Sequence, residues 1–197
     1  MPRGLRYALI ACALISCAVI GARVYLELRP ASPGIATGPI SSAPQRLPDF
    51  TLGDLDGRPR AISEWSGEPL LINFWATWCA PCRREIPLLQ ALHSSGDMQV
   101  VGVAIDRLSD VGTFVAEFGV SYPNLVGQED ALEVSDLFGL SGLGLPFSVL
   151  AAADGALLTV HVGEIDADEL ATLLRVSRDY EAGRSTLADA RDRLGAL

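Results

Sequence analysis

The segment that most constrains this chain is LINFWATWCAPCRREIPLL, residues 71–89, where an apolar run gives way to helical spacing with two cysteines at the changeover. PLLINFWA supplies a continuous apolar strand from Leu70 to Phe74, of the kind covered on both faces in an α/β domain. From Cys79 to His93 the apolar residues Ile86, Leu89 and Leu92 fall at helical spacing. Cys79 therefore stands where the helix begins. There its sulfur would meet unpaired backbone N–H groups and the positive helix end, which favour the thiolate. Cys82 follows about one helical turn on, within reach of a mixed disulfide formed at Cys79. Pro81 has no N–H to lose in the first turn, and its fixed φ stiffens the loop. The expectation is a redox pair in which Cys79 attacks and Cys82 resolves.

A Cys-x-x-Cys is also half of many zinc sites, and a structural disulfide is a third use. Zinc normally takes four ligands, and His93 and His161 are the only histidines, so no metal is expected. The other two cysteines, Cys12 and Cys17, lie inside an apolar stretch and read as helix filling. This is not a small fold stapled by a disulfide network.

That stretch dominates residues 1–28. Arg3 and Arg6 precede an uncharged run from Tyr7 to Ala22, and Val24, Tyr25 and Leu26 extend it past Arg23. A spanning helix needs about 17–20 residues, and an arginine near its end can reach the interface. The expectation is one membrane anchor, with a cleaved signal peptide as the alternative and a lipidated Cys17 as a weaker one. The leading positive charges favour a cytoplasmic N-terminus, which places the rest outside the cytoplasmic membrane, in the periplasm or extracytoplasmic space. The bilayer is thus an expected partner.

Residues 29–47, rich in Pro, Gly, Ser and Ala, read as an extended linker. The 24 acidic against 15 basic side chains give a net charge of -9, the wrong sign for non-specific grip on phosphates, so no nucleic acid partner is expected. With 197 residues and a 49% hydrophobic composition there is enough chain for one packed domain, expected over residues 48–178.

Within it, turn signals at Leu55-Asp56-Gly57 and Arg58-Pro59 suggest a short hairpin. Further strands are expected at Val100–Ile105, Tyr122–Val126, Phe147–Ala151 and Leu157–Val162, the last two joined by Asp154-Gly155. Helices are expected from Asp110 to Phe118, ended by Gly119, from Ala131 to Phe138, and from an Asp166 cap with Glu169 to about Arg175. Phe114, Phe118 and Phe138 read as core. The order implies a mixed sheet with helices on both faces. Residues 179–197 read as a loosely docked tail, with an isolated amphipathic helix as the alternative.

The segment NFWATWCAPCRREIPLL resembles the active-site region of membrane-anchored, thioredoxin-like proteins of the TlpA, ResA and cytochrome c maturation type, within the redoxin superfamily. The resemblance covers roughly Pro48 to Arg175 and implies a thioredoxin-like fold. By it, Trp78 shapes a docking surface, Ala80 and Pro81 complete the client-facing motif, and Glu85 tunes cysteine ionisation and moves protons. Cys82 and Glu85 are three apart and share a helix face. A buried Glu85 would have a raised pKa, whereas a solvated one would pair with Arg83 or Arg84. These arginines would steer an acidic partner or simply solvate the helix.

The resemblance also makes Pro146 a cis-proline facing the cysteines and Leu145 the residue whose backbone pairs with a client peptide; an ordinary trans proline is the alternative. Phe147 departs from the polar residue that relatives carry shortly after this proline, which would alter the groove. The insertion at Ser109–Gly139 would carry partner contacts. Neither His93 nor His161 has visible partners for an acid–base role.

The expected function is reduction of protein disulfides, with apocytochrome c or respiratory assembly factors as implied clients and a membrane-embedded thiol reductase as implied electron donor. No nucleotide or flavin motif is present, and no cofactor is expected. Disulfide oxidation or isomerisation is the first alternative, because fold does not fix direction. A thiol-based copper(I) or assembly chaperone is the second. A peroxidase has no separate cysteine pattern to support it.

Overall fold

The computed structural model describes residues 44–140 and 144–195. The expected anchor and most of the expected linker lie outside them; among the described residues no helix is long and apolar enough to cross a membrane.

The fold opens with a hairpin of β1 (Thr51–Asp54) and β2 (Pro59–Ala61). Asp54 closes its turn by accepting the amides of Asp56 and Arg58, both at 2.9 Å, while Gly57 adopts a φ of 75° that a side chain would resist. β3 (Leu70–Trp75) is buried throughout and lies parallel to β4 (Gln99–Ile105), which is parallel to β5 (Asn124–Gly127). β6 (Phe147–Ala151) pairs antiparallel with β3, and β7 (Leu157–Val162) with β6. The sheet runs β2-β1-β5-β4-β3-β6-β7.

On one face pack α1 (Ala80–Ser95), α2 (Leu108–Phe118) and α4 (Ala167–Glu181), around Trp75, Leu89, Phe114, Leu150 and Val176. On the other, α3 (Glu129–Asp136) covers Phe50, Phe74, Phe138 and Phe147. This is the expected thioredoxin-like α/β fold, a mixed central sheet flanked by helices.

Several boundaries differ from expectation. α2 starts at Leu108, so Asp110 sits in its first turn and accepts Arg107 Nε at 2.8 Å. Phe114 and Phe138 are core, but Phe118 is 49% exposed. α4 continues six residues past Arg175 because Val176 and Ser177 are still buried and Glu181 accepts the Ala153 amide at 2.9 Å. The tail is not loose: α5 (Leu187–Leu194), capped by Thr186, buries Ala190 and Leu194 on the α4 face. Arg191 fastens it by donating to the carbonyls of Leu157 and Gln45. The fold also begins before Pro48, since Leu47 donates to Gly155 at 2.9 Å and Gln45 accepts from Leu157 at 3.0 Å.

Candidate active site

The helix start does what its sequence suggests. Cys79 caps α1, its Sγ accepting the Cys82 amide at 3.2 Å, and Pro81 occupies the first turn. Cys79 and Cys82 are joined as a disulfide with Cα atoms 5.3 Å apart. Cys82 is fully buried and Cys79 nearly so, while Ala80 is exposed and Trp78 stands out at 62% exposure.

The turn carrying them is held from β4. Asp106 Oδ2 accepts both the Thr77 amide at 3.0 Å and the Thr77 hydroxyl at 2.5 Å. Such charge-assisted bonds are the stronger kind, and they fix the approach to Trp78 and Cys79. Sequence reasoning missed this pair; an acid at the C-terminal end of a buried strand was its only signal.

Phe74 pairs with Phe147, so the end of β3 that leads to the cysteines lies beside the start of β6. The Leu145–Pro146 bond at that start is cis, which removes the trans alternative. Pro146 is buried and Leu145 half-buried, and the Pro146 carbonyl accepts the Gly163 amide at 2.9 Å. Phe147 does not alter the groove as expected. It belongs to the core on the α3 face, stacked on Phe74 with ring centroids 4.1 Å apart. The polar residue after the proline is Ser148, on the α1 face, whose Oγ accepts Asn73 Nδ2 at 3.0 Å.

Glu85 is 2% exposed, which overturns the solvated alternative. Oε1 accepts Asn73 Nδ2 at 2.8 Å and Oε2 the Ile165 amide at 2.9 Å. Burial pushes its pKa up to about 7; the two hydrogen bonds oppose that shift, and the charge of Glu164 adds to it. Neither arginine pairs with it. Arg84 Nε lies 3.0 Å from both Glu164 oxygens, tying α1 to the loop that supplies the Ile165 amide. Arg83 lies over the rings of Phe114 and Phe118, at 5.7 and 5.5 Å. Nearby, burial and the Glu85 charge raise the Tyr122 phenol.

A disulfide at a helix start and a carboxyl titrating near neutrality one turn further on can together move two electrons and a proton. The carboxyl is available to take a proton from one sulfur as that sulfur forms its bond.

The Redoxin family model matches residues 42–175. The chain is 26% identical over 161 residues to the thiol-disulfide oxidoreductase ResA of Geobacillus thermodenitrificans, covering 80% of this chain and 87% of that one. It is 31% identical over 130 residues to ResA of Halalkalibacterium halodurans, covering 63% and 70%. Among solved structures, a thioredoxin-family thiol:disulfide interchange protein of Chlorobium tepidum superposes with a TM-score of 0.59 at 27% identity, covering 68% of this chain and 96% of that one.

Proposed function

Because the chain belongs to the redoxin family and is a thioredoxin-fold thiol–disulfide oxidoreductase, we propose that it reduces protein disulfides outside the cytoplasm. The observation that carries the exchange chemistry is Glu85, buried on α1 three residues past Cys82 with its pKa raised to about 7; it serves either direction of electron flow, and the reduction potential decides between them. In the reduced protein the Cys79 thiolate attacks a client disulfide. One client sulfur leaves as a thiolate and takes a proton from solvent. Cys82 then attacks Cys79 Sγ in the mixed disulfide while Glu85 accepts the Cys82 proton. The second client sulfur leaves, the client has gained two electrons, and the Cys79–Cys82 disulfide remains.

Trp78, Ala80 and Pro81 form one wall of the client site, and Leu145 and Pro146 the other. The Leu145 backbone pairs with an extended client segment. Residues 1–28 anchor the protein in the cytoplasmic membrane, 29–47 tether it, and a membrane-embedded thiol reductase returns electrons to the disulfide. Cysteines awaiting haem or assembly of a respiratory complex fit as clients, because they must stay reduced in an oxidising compartment.

The equilibrium reduction potential of the Cys79–Cys82 couple tests the direction. A value below about -220 mV supports the reductase, whereas one near about -120 mV replaces it with disulfide donation.

A further inference from the structure

Glu85 has two protonation states, and its hydrogen-bond partners suit only one of them. Oε1 takes the Asn73 Nδ2 group at 2.8 Å and Oε2 the Ile165 amide at 2.9 Å, so both oxygens face donors. That arrangement matches a carboxylate, which only accepts. A neutral carboxyl carries one O–H, and a proton placed along either of these bonds meets another N–H. It needs an acceptor. One lies in the same side chain that now donates: Asn73 Oδ1 is buried and has no hydrogen-bond partner among the described residues.

Asn73 is fully buried on β3, and its Nδ2 group bridges Glu85 and, at 3.0 Å, Ser148 Oγ on β6. An amide used at one end leaves the other desolvated and unpaired, so stability does not explain an asparagine here. The two ends of an amide are nearly equal in size, and the torsion that exchanges them is broad and two-fold. Turned over, Oδ1 stands where Nδ2 stood, between Glu85 Oε1 and Ser148 Oγ. It then accepts the O–H of a neutral Glu85 and also the Ser148 hydroxyl, which rotates from acceptor to donor. The Ile165 amide keeps its bond to Oε2, and Nδ2 takes the place of an oxygen that had no partner. Each state of the carboxyl then has the same number of hydrogen bonds. We propose that the Asn73 amide turns over whenever Glu85 gains or loses its proton, which makes Asn73 a positioning residue for the proton transfer and Ser148 its two-way partner.

The inference rests on the proton-accepting role proposed for Glu85. In the resolving step the Cys82 S–H bond breaks, its electron pair forms the bond to Cys79 Sγ, and the client sulfur leaves with the pair of the bond it loses. The proton comes to lie on Glu85, and Asn73 turns to receive it. When the disulfide is reduced again the proton returns to Cys82 and Asn73 turns back, so the device serves either direction of electron flow. The orientation described, with Nδ2 towards Glu85, is that of the ionised carboxylate. Around Glu85 stand the Tyr122 phenol, Glu164 with its partner Arg84, and Cys82 in the disulfide, and His161 lies opposite Ser148 with Nε2 4.0 Å from Glu169. The Asn73 side chain bonds to none of these, only to Glu85 and Ser148.

The chain has two asparagines, Asn73 and Asn124, so 15N labelling of asparagine side chains in the full-length protein gives two NH2 groups to follow by NMR. Asn124 is the internal reference, with Oδ1 held by Trp75 Nε1 and Nδ2 by the Tyr122 carbonyl. In the disulfide form, where the cysteines do not titrate, the nuclear Overhauser contact between the Asn73 NH2 and the Ser148 β-protons is expected at about pH 9 and lost at about pH 5, with the Asn124 contacts unchanged. In Glu85→Gln it is expected to be absent at both, because a glutamine that accepts from Ile165 presents its NH2 to Asn73 as the neutral acid presents its O–H. Asn73→Leu removes a partner from both forms of Glu85, so it should change their ratio, read from the Glu85 carboxyl 13C resonance, by less than about tenfold; loss of a fixed donor would favour the neutral form by about tenfold or more. The NMR contacts decide the matter if Asn73→Leu folds poorly. A contact that persists at both pH values while the carboxyl titrates, or that is present in Glu85→Gln, overturns the turning amide and leaves Glu85 its role. A carboxyl that does not titrate between these pH values overturns both.

Discussion

The two faces of the central sheet are built from the same strands but obey different rules. The α3 face is closed by apolar side chains, with Phe138 edge-on to Phe50 and Phe74, and Phe74 stacked on Phe147. The α1 face has a comparable apolar layer, but Glu85, Asn73, Ser148 and Asn124 are sunk into it. Burying a carboxyl and three polar side chains is costly unless each finds partners. One face therefore accounts for stability, and the other gives up some of it to hold a group that titrates near neutrality.

Substitutions on each face separate these roles. The largest effect is expected from Phe138→Ala, which removes a fully buried ring from the α3 face. It should lower unfolding free energy by about 3–5 kcal/mol in urea titration while leaving the reduction potential unchanged. A shift in potential would mean that the faces are not independent.

On the other face, Glu85→Gln should stabilise the protein, and only at the higher pH. The folded carboxyl titrates at about 7 against 4.5 for its unperturbed value, so the native state holds the proton more tightly than the unfolded chain. Wild-type stability contributed by this group is full below about pH 4.5, falls as pH rises through about 7, and is level above that. The cost at pH 8 is about 3 kcal/mol. Denaturation at pH 5 and pH 8 should show this decline in the wild type and its loss in Glu85→Gln; an unchanged decline would place it elsewhere.

The smallest change is Gly102→Ala, at the one position without a side chain in the polar row of cross-strand partners Asn124, Gly102, Asn73 and Ser148. A methyl there would collide with Asn124 Oδ1 and lie 2.9 Å from Trp75 Nε1, breaking the bond between them. A loss of about 1–3 kcal/mol is expected, with near-ultraviolet circular dichroism reporting the Trp75 change. A neutral result would show that this part of the α1 face repacks as freely as an apolar core.

The sequence shows one of these faces far better than the other. The apolar strands β3, β4, β6 and β7, the helix start at Cys79, the Asp154-Gly155 hairpin and the Asp166–Glu169 cap are local patterns, and each appears where expected, whereas β5 begins two residues later than its apolar run. Cys79, Cys82 and Glu85 are legible because they sit within seven residues on one helix. The polar row is not, because its members come from separate strands and meet only through register. Asn73 is hidden within a run that otherwise reads as apolar. Reading Phe147 as the residue after the proline that matters, when Ser148 faces the site, is the same difficulty at a single step, since adjacent strand residues point to opposite faces. The docking of α5 likewise depends on carbonyls of Leu157 and Gln45, 34 and 146 residues away from Arg191.

That last contact bears on mechanics. Gln45, Leu157 and Arg191 meet at the end of β6 and β7 opposite Pro146, separated from it by a five-residue strand, or about 17 Å. A pull transmitted along the chain into Gln45 would load the β6–β7 turn and the guanidinium clamp first. The loop holding Pro146 and the turn holding Cys79 sit at the unloaded end, so strain in the chain that leads into the fold need not reach the geometry on which disulfide exchange depends.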